Sequence, residues 1–113
     1  MKELRVAQSE YEAIKRQGGE IVAITAGAPE DVKEAAAKAG ITFPFLADPE
    51  FTAIDHFGMR HEGALPDRDA VRPGVFFLGT DGTVVHSIQP ASYRYTFTGG
   101  DIRDGFVRAV TSP

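Results

Sequence analysis

The 113 residues contain no cysteine and no tryptophan. Without cysteine the chain has no disulfide, no thiolate metal site and no thiol nucleophile. Long apolar runs are missing as well: none approaches the roughly 20 residues needed to cross a bilayer. Basic clusters are scarce. The net charge is −4 and the densest cationic stretch is Lys15-Arg16, which argues against a nucleic-acid or anionic-membrane surface. No internal repeat or low-complexity tract interrupts the chain. The opening Met1-Lys2-Glu3-Leu4-Arg5 is acidic and amphipathic from the start, so it does not read as a signal peptide, and the cytoplasm is the expected location.

What is present fits a single domain over residues 1–113. The 42% hydrophobic and 25% charged content is ordinary for a soluble globular protein. Leu4, Ala7, Tyr11 and Ile14 recur at helical spacing, with Glu3, Arg5, Glu10, Glu12, Lys15 and Arg16 on the other side, and Gly18-Gly19 ends that helix. Ile21-Val22-Ala23-Ile24 predicts a buried parallel strand. Pro29 opens a second helix, with Glu30 and Asp31 in its positive first turn and Val32, Ala35, Ala36 and Ala39 as its packing stripe up to Gly40. Phe43-Pro44-Phe45-Leu46 predicts an edge strand, since proline removes a ladder donor. Asp48-Pro49 predicts the start of a short helix carrying Phe51, Ile54 and Phe57.

Residues 59–72 carry Gly63, Pro66 and mixed charges without periodicity, and are expected to be loop. Val75-Phe76-Phe77-Leu78 and Thr83-Val84-Val85-His86-Ser87-Ile88 flank Gly79-Thr80-Asp81-Gly82, the clearest hairpin signal in the chain. A final helix is expected from about Asp101, with Ile102, Phe106, Ala109 and Val110 on one face. Gly105 weakens it by about 1 kcal/mol relative to alanine. The expected order is α-β-α-β-α-β-β-α, the grammar of an α/β fold.

Gly19-Glu20-Ile21-Val22-Ala23-Ile24, then a helix, then Gly40-Ile41-Thr42-Phe43-Pro44-Phe45-Leu46-Ala47-Asp48-Pro49 resembles the alkyl hydroperoxide reductase/thiol-specific antioxidant, or peroxiredoxin-like, family. Val71-Arg72-Pro73-Gly74-Val75-Phe76-Phe77-Leu78-Gly79-Thr80-Asp81-Gly82-Thr83-Val84 is similar to that family's Arg-Pro, strand, Asp-Gly turn, strand signature. The resemblance implies an incomplete thioredoxin-like fold that lacks the first, central strand. It implies a hydroperoxide and a thiol reductant as partners of the intact family, with no cofactor. It also places Arg72-Pro73 where thioredoxin folds carry a cis proline facing the active site.

In the family a strand and a cysteine loop precede the first helix, whose N-terminus lowers the thiol pKa. By resemblance, Lys2 and Glu3 stand at that helix opening, beside Arg72 and Pro73, and the cysteine falls upstream of residue 1. The sequence is therefore expected to be an N-terminally truncated version of a longer protein. The missing strand belongs between residues 21–25 and 75–78. Its absence leaves two inner edges unpaired, to be met by closure of the inner strands, by pairing from a second chain such as a homodimer, or by upstream sequence. A cysteine-free binding or assembly module is the alternative to a peroxidase.

Other chemistry is thinly supported. Arg72 reads equally as a peroxide-orienting group and as a solvated loop arginine. Asp55, His56, His61 and Glu62 lack the spacing of a zinc motif, so no metal site is expected. His86 reads as an exposed or half-exposed strand residue, and Tyr93 and Tyr95 as core edge. Ser9 and Ser87 have no nucleophile context, and the Gly-Gly pairs at 18–19 and 99–100 are helix punctuation.

Overall fold

In the computed structural model, which describes residues 2–90 and 97–111, the first apolar stripe becomes helix α1 (Lys2–Arg16). Ala7, Tyr11 and Ile14 are buried and Leu4 packs beside them. Gly18, at φ 83°, turns the chain out of the helix in a left-handed conformation that glycine adopts without a Cβ clash.

β1 (Ala23–Thr25), α2 (Pro29–Ala39) and β2 (Phe45–Ala47) follow. β1 and β2 pair in parallel, with Ala23 opposite Phe45 and Thr25 opposite Ala47, and α2 is the crossover that parallel pairing requires. Val32 is the buried residue of α2, flanked by half-buried Ala35, Ala36 and Ala39. β2 is an edge strand, as Pro44 predicts. The strand expected at residues 21–24 differs from expectation: Val22 and Ile24 are 51% and 37% exposed, because among the described strands β1 pairs with β2 alone.

The helix expected to start at Asp48-Pro49 begins later, as α3 (Thr52–His56). A turn closed by the Phe51 amide on the Asp48 carbonyl, at 3.0 Å, intervenes, with Phe51 itself at φ 62°. Asp48 still caps the helix, its carboxylate accepting the Thr52 and Ile54 amides at 3.0 and 2.8 Å.

The expected loop at 59–72 is instead an antiparallel hairpin, β3 (Arg60–Leu65) and β4 (Arg68–Val71), with a register shift between His61 and Leu65. Polar ties hold it where an apolar face would otherwise show in the sequence. Arg60 grips the Asp55 carboxylate with Nε and Nη2, each at 2.7 Å, and Asp69 with Nη1 at 2.8 Å. The Asp69 carboxylate also accepts the Gly63 amide at 2.9 Å.

β5 (Val75–Leu78) and β6 (Val84–Ile88) form the expected hairpin. Its turn is closed by the Gly79 amide on the Thr83 carbonyl at 2.9 Å. α4 (Gly99–Thr111) opens on a reciprocal cap: the Asp101 carboxylate accepts the Thr98 amide, and the Thr98 hydroxyl accepts the Asp101 amide. Its inward stripe is Ile102, Gly105, Phe106 and Ala109, while Val110, expected on that face, is 56% exposed. Gly105 is a contact rather than a defect, since a Cβ there would overlap the Phe77 ring. Tyr93 and Tyr95 lie outside the described residues.

The described strands form three separate two-stranded sheets, β1–β2, β3–β4 and β5–β6. α1 joins the first and third. Its Ile14 packs with Phe77, Phe97 and Ile102, and its Ala7 and Tyr11 pack with Phe43. No described helix is long and apolar enough to cross a membrane.

Candidate functional site

Between β1 and β5 lies a cavity of about 750 Å³. Val22, Ile24 and Thr25 line one side, Val75–Leu78 another, and Ile14, Phe97, Ile102 and Phe106 contribute from the core. Among the described residues, Glu3, Glu20 and Arg72 are its only charged lining residues. Three of the four residues singled out by resemblance, Glu3, Arg72 and Pro73, thus meet on one cavity. Lys2 begins α1, in the turn that carries Glu3.

Several routes bring these residues together. Glu3 sits in the first turn of α1, where the helix dipole favours an acid. Arg72 is delivered by the β3–β4 hairpin: its amide donates to the Met59 carbonyl at 2.7 Å, one step beyond the ladder end at Val71. Its side chain is exposed and enters none of the ion pairs among the described residues. The Arg72–Pro73 bond is trans, which corrects the expected cis isomer. The amide hydrogen bond to the Met59 carbonyl keeps Arg72 on the line of β4, and the trans bond, the lower-energy isomer, carries the chain from there toward β5.

A polar cluster that sequence inspection missed reaches the same cavity through Glu20 alone. Lys15 Nζ donates to Glu20 Oε2 at 3.3 Å and lies 5.7 Å from the Tyr11 ring centre. Glu20 Oε1 accepts the Ile21 amide at 2.8 Å. The Tyr11 hydroxyl, the Ile21 amide and Lys15 hold the Glu20 carboxyl below its usual range. Glu20 in turn raises the Tyr11 phenol and the Lys15 ammonium. Tyr11 therefore stays a neutral donor and Lys15 stays charged at neutral pH. The only signals for this cluster were the i,i+4 spacing of Tyr11 and Lys15 and a glutamate just past the Gly-Gly stop, and neither points to a shared cavity.

Asp55 and His61 do not join a metal centre, for no three potential ligands converge among the described residues. Asp55 is committed to Arg60, whose guanidinium holds its carboxyl below the usual range, and the His56 ring packs edge-on to Phe57. His86 is half-buried and stacks on Phe77, with ring centres 5.5 Å apart. Among the described residues the cavity thus offers the Arg72 guanidinium, the Glu3 carboxylate at a helix start, the Glu20 carboxylate and apolar walls. It holds no group able to attack a peroxide as a thiolate does.

Comparison with known proteins completes the picture. No curated sequence matches this chain. Among solved structures, it superposes on an Enterococcus faecalis AhpC with a TM-score of 0.80 at 18% identity, covering 94% of this chain and 63% of that one. It superposes on the peroxidoxin BcpB of Mycobacterium tuberculosis with a TM-score of 0.80 at 18% identity, over 99% of this chain and 70% of that one. The peroxiredoxin 6 of Arenicola marina gives a TM-score of 0.69 at 16% identity, over 89% and 50%. The chain therefore spans 50% to 70% of the length of these structures, and likenesses at such identity establish the fold, a peroxiredoxin-like form of the thioredoxin fold. The model of the AhpC/TSA family matches residues 1–87, and on that match the chain belongs to the AhpC/TSA family.

Proposed function

We propose that this chain is the scaffold portion of a peroxiredoxin-like antioxidant protein and that, as a polypeptide without cysteine, it reduces no hydroperoxide by itself. The observation that carries the reading is the lack of any cysteine in the sequence beside a family match over residues 1–87. Peroxide reduction by the intact family proceeds through a thiolate that attacks one peroxide oxygen. The O–O bond breaks, sulfur is oxidised to a sulfenic acid and the alkoxide leaves as an alcohol after taking a proton. A second thiol then condenses with the sulfenic acid to a disulfide and releases water. Here Glu3, Arg72 and Pro73 would frame such a thiol without supplying one. The test is peroxide consumption by this polypeptide with dithiothreitol as reductant. The rate is expected to equal that of a heat-treated control, and thiol-dependent turnover above the control would overturn the proposal.

The open cavity favours a second reading, a cysteine-free thioredoxin-fold module for binding or assembly. An apolar recess with few charged groups is the usual form of a binding site, and its use needs no sulfur.

A further inference from the structure

One residue supports the Arg72-Pro73-Gly74 segment from both ends. The Met59 carbonyl accepts the Arg72 amide at 2.7 Å. The Met59 side chain lies against Gly74, where an added Cβ would come within 2.5 Å of its Cε and 3.8 Å of its Sδ. Met59 therefore touches the chain on both flanks of Pro73. Its own amide donates to the Ile54 carbonyl at 3.0 Å, which ties the segment to α3. The fit depends on a glycine at 74 and on a slim, unbranched apolar side chain at 59.

The chemistry of this support sets it apart. Met59 carries the only sulfur among the described residues. It is 6% exposed, yet it lines the cavity together with Arg72 and Pro73. A solute little larger than water therefore meets the wall that contains it without unfolding of the chain. A thioether is a polarizable nucleophile that needs no deprotonation, and oxidation turns it from apolar to polar. Ile54, Phe57 and Phe76, which line the same cavity, are apolar. An oxygen added to Sδ would enter an apolar wall already in close contact with Gly74, where a polar atom without a partner is costly.

We propose that Met59 is an oxidation-sensitive support of the Arg72-Pro73 segment: a hydroperoxide converts its thioether to the sulfoxide, and the segment loosens. An Sδ lone pair attacks the hydroxyl oxygen of the peroxide and the O–O bond breaks. Sulfur gives up two electrons and keeps that oxygen. The other oxygen leaves as an alkoxide and takes the proton, giving an alcohol, or water from hydrogen peroxide. The reaction consumes one peroxide for each Met59 and no thiol, so it stands apart from the scaffold reading.

The experiment treats the full chain with hydrogen peroxide and follows Met59 by peptide mass mapping, in the folded protein and in the same chain unfolded in urea. Met59 should gain one oxygen in the folded chain at no less than about a tenth of the unfolded rate. The oxidised chain should then exchange its Arg72 amide at least about threefold faster and melt about 5 °C lower or more. Methionine sulfoxide reductase, which restores the thioether, should reverse both changes. Met59→Leu keeps the volume and the apolar character, and its Arg72 exchange and Tm should not respond to peroxide. Should that variant fail to fold, reversal by the reductase separates Met59 from damage elsewhere. Oxidation more than tenfold slower in the folded chain would show a shielded sulfur and overturn the proposal. A sulfoxide at Met59 that changes Arg72 exchange by less than threefold would overturn it as well. Peroxide turnover that depends on dithiothreitol would sink the scaffold reading and leave this support to stand or fall on its own.

Discussion

The described residues form two antiparallel hairpins built on opposite terms. In β5–β6 the tie is apolar: Phe77 is buried, its ring lies over the gap left by Gly105, and Ile14, Phe97 and Ile102 surround it. In β3–β4 the tie is ionic and local. Arg60 spans Asp55 and Asp69 and its guanidinium lies over the Phe51 ring at 4.2 Å. The Arg60–Asp55 pair is exposed and the Arg60–Asp69 pair half-buried, and ion pairs this open to water contribute little to global stability, while a buried aromatic contributes several kcal/mol. The first hairpin is thus part of the folding unit, and the second is an ornament fixed at its base that positions Arg72.

Three perturbations test that contrast. Phe77→Ala should cost about 3–5 kcal/mol in urea denaturation; a loss as small as that of a surface substitution would show that the β5–β6 hairpin is not part of the core. Gly105→Ala comes next. Helix propensity alone would stabilise α4 by about 1 kcal/mol, yet overlap with the Phe77 ring should reverse the sign and destabilise the protein by about 1–3 kcal/mol. A stabilised variant would mean that the ring can move aside.

Smallest in global effect is loss of the Arg60 tie. Arg60→Met should leave the urea midpoint almost unchanged while hydrogen exchange at the Gly63 and Arg72 amides quickens several-fold. Acid acts on the same tie. Arg60 depresses the Asp55 carboxyl, and the Gly63 amide followed by Arg60 depresses that of Asp69. Carboxyls lowered in the folded state contribute stability above their unfolded pKa of about 3.9, and that contribution is lost as pH falls through the lower folded values. An NMR titration from pH 7 downward should show the Gly63 amide moving only below about pH 4. The Thr83 amide should respond likewise, since it holds the Asp81 carboxyl down in the β5–β6 turn, but the Phe77 amide should not. Movement of Phe77 in the same range would merge the two hairpins into one unit.

The same contrast explains what the sequence could disclose. Apolar periodicity reports burial, so α1, α2, the β5–β6 hairpin and the inward residues of α4 up to Ala109 were readable. The β3–β4 hairpin was not, because Arg60, Asp69 and Gly63 bind one another through polar atoms and leave no alternating stripe, while Pro66 and Gly63 imitate loop composition. Val110 was misplaced because the α4 face turns inward through Gly105, which a search for large apolar residues passes over. At the site, resemblance singled out Glu3, Arg72 and Pro73. The Tyr11-Lys15-Glu20 cluster was invisible, since Glu20 reaches it only by the fold-back after Gly18.

α1 lends Ile14 to one core cluster and Ala7 and Tyr11 to the other, and Ile21 touches both. Two compartments that share a wall cannot be emptied one at a time: melting either removes the support of the other. Although its described strands are divided among three sheets, the chain should therefore unfold in one cooperative step, with its first helix as the common boundary through which both halves register a disturbance in either.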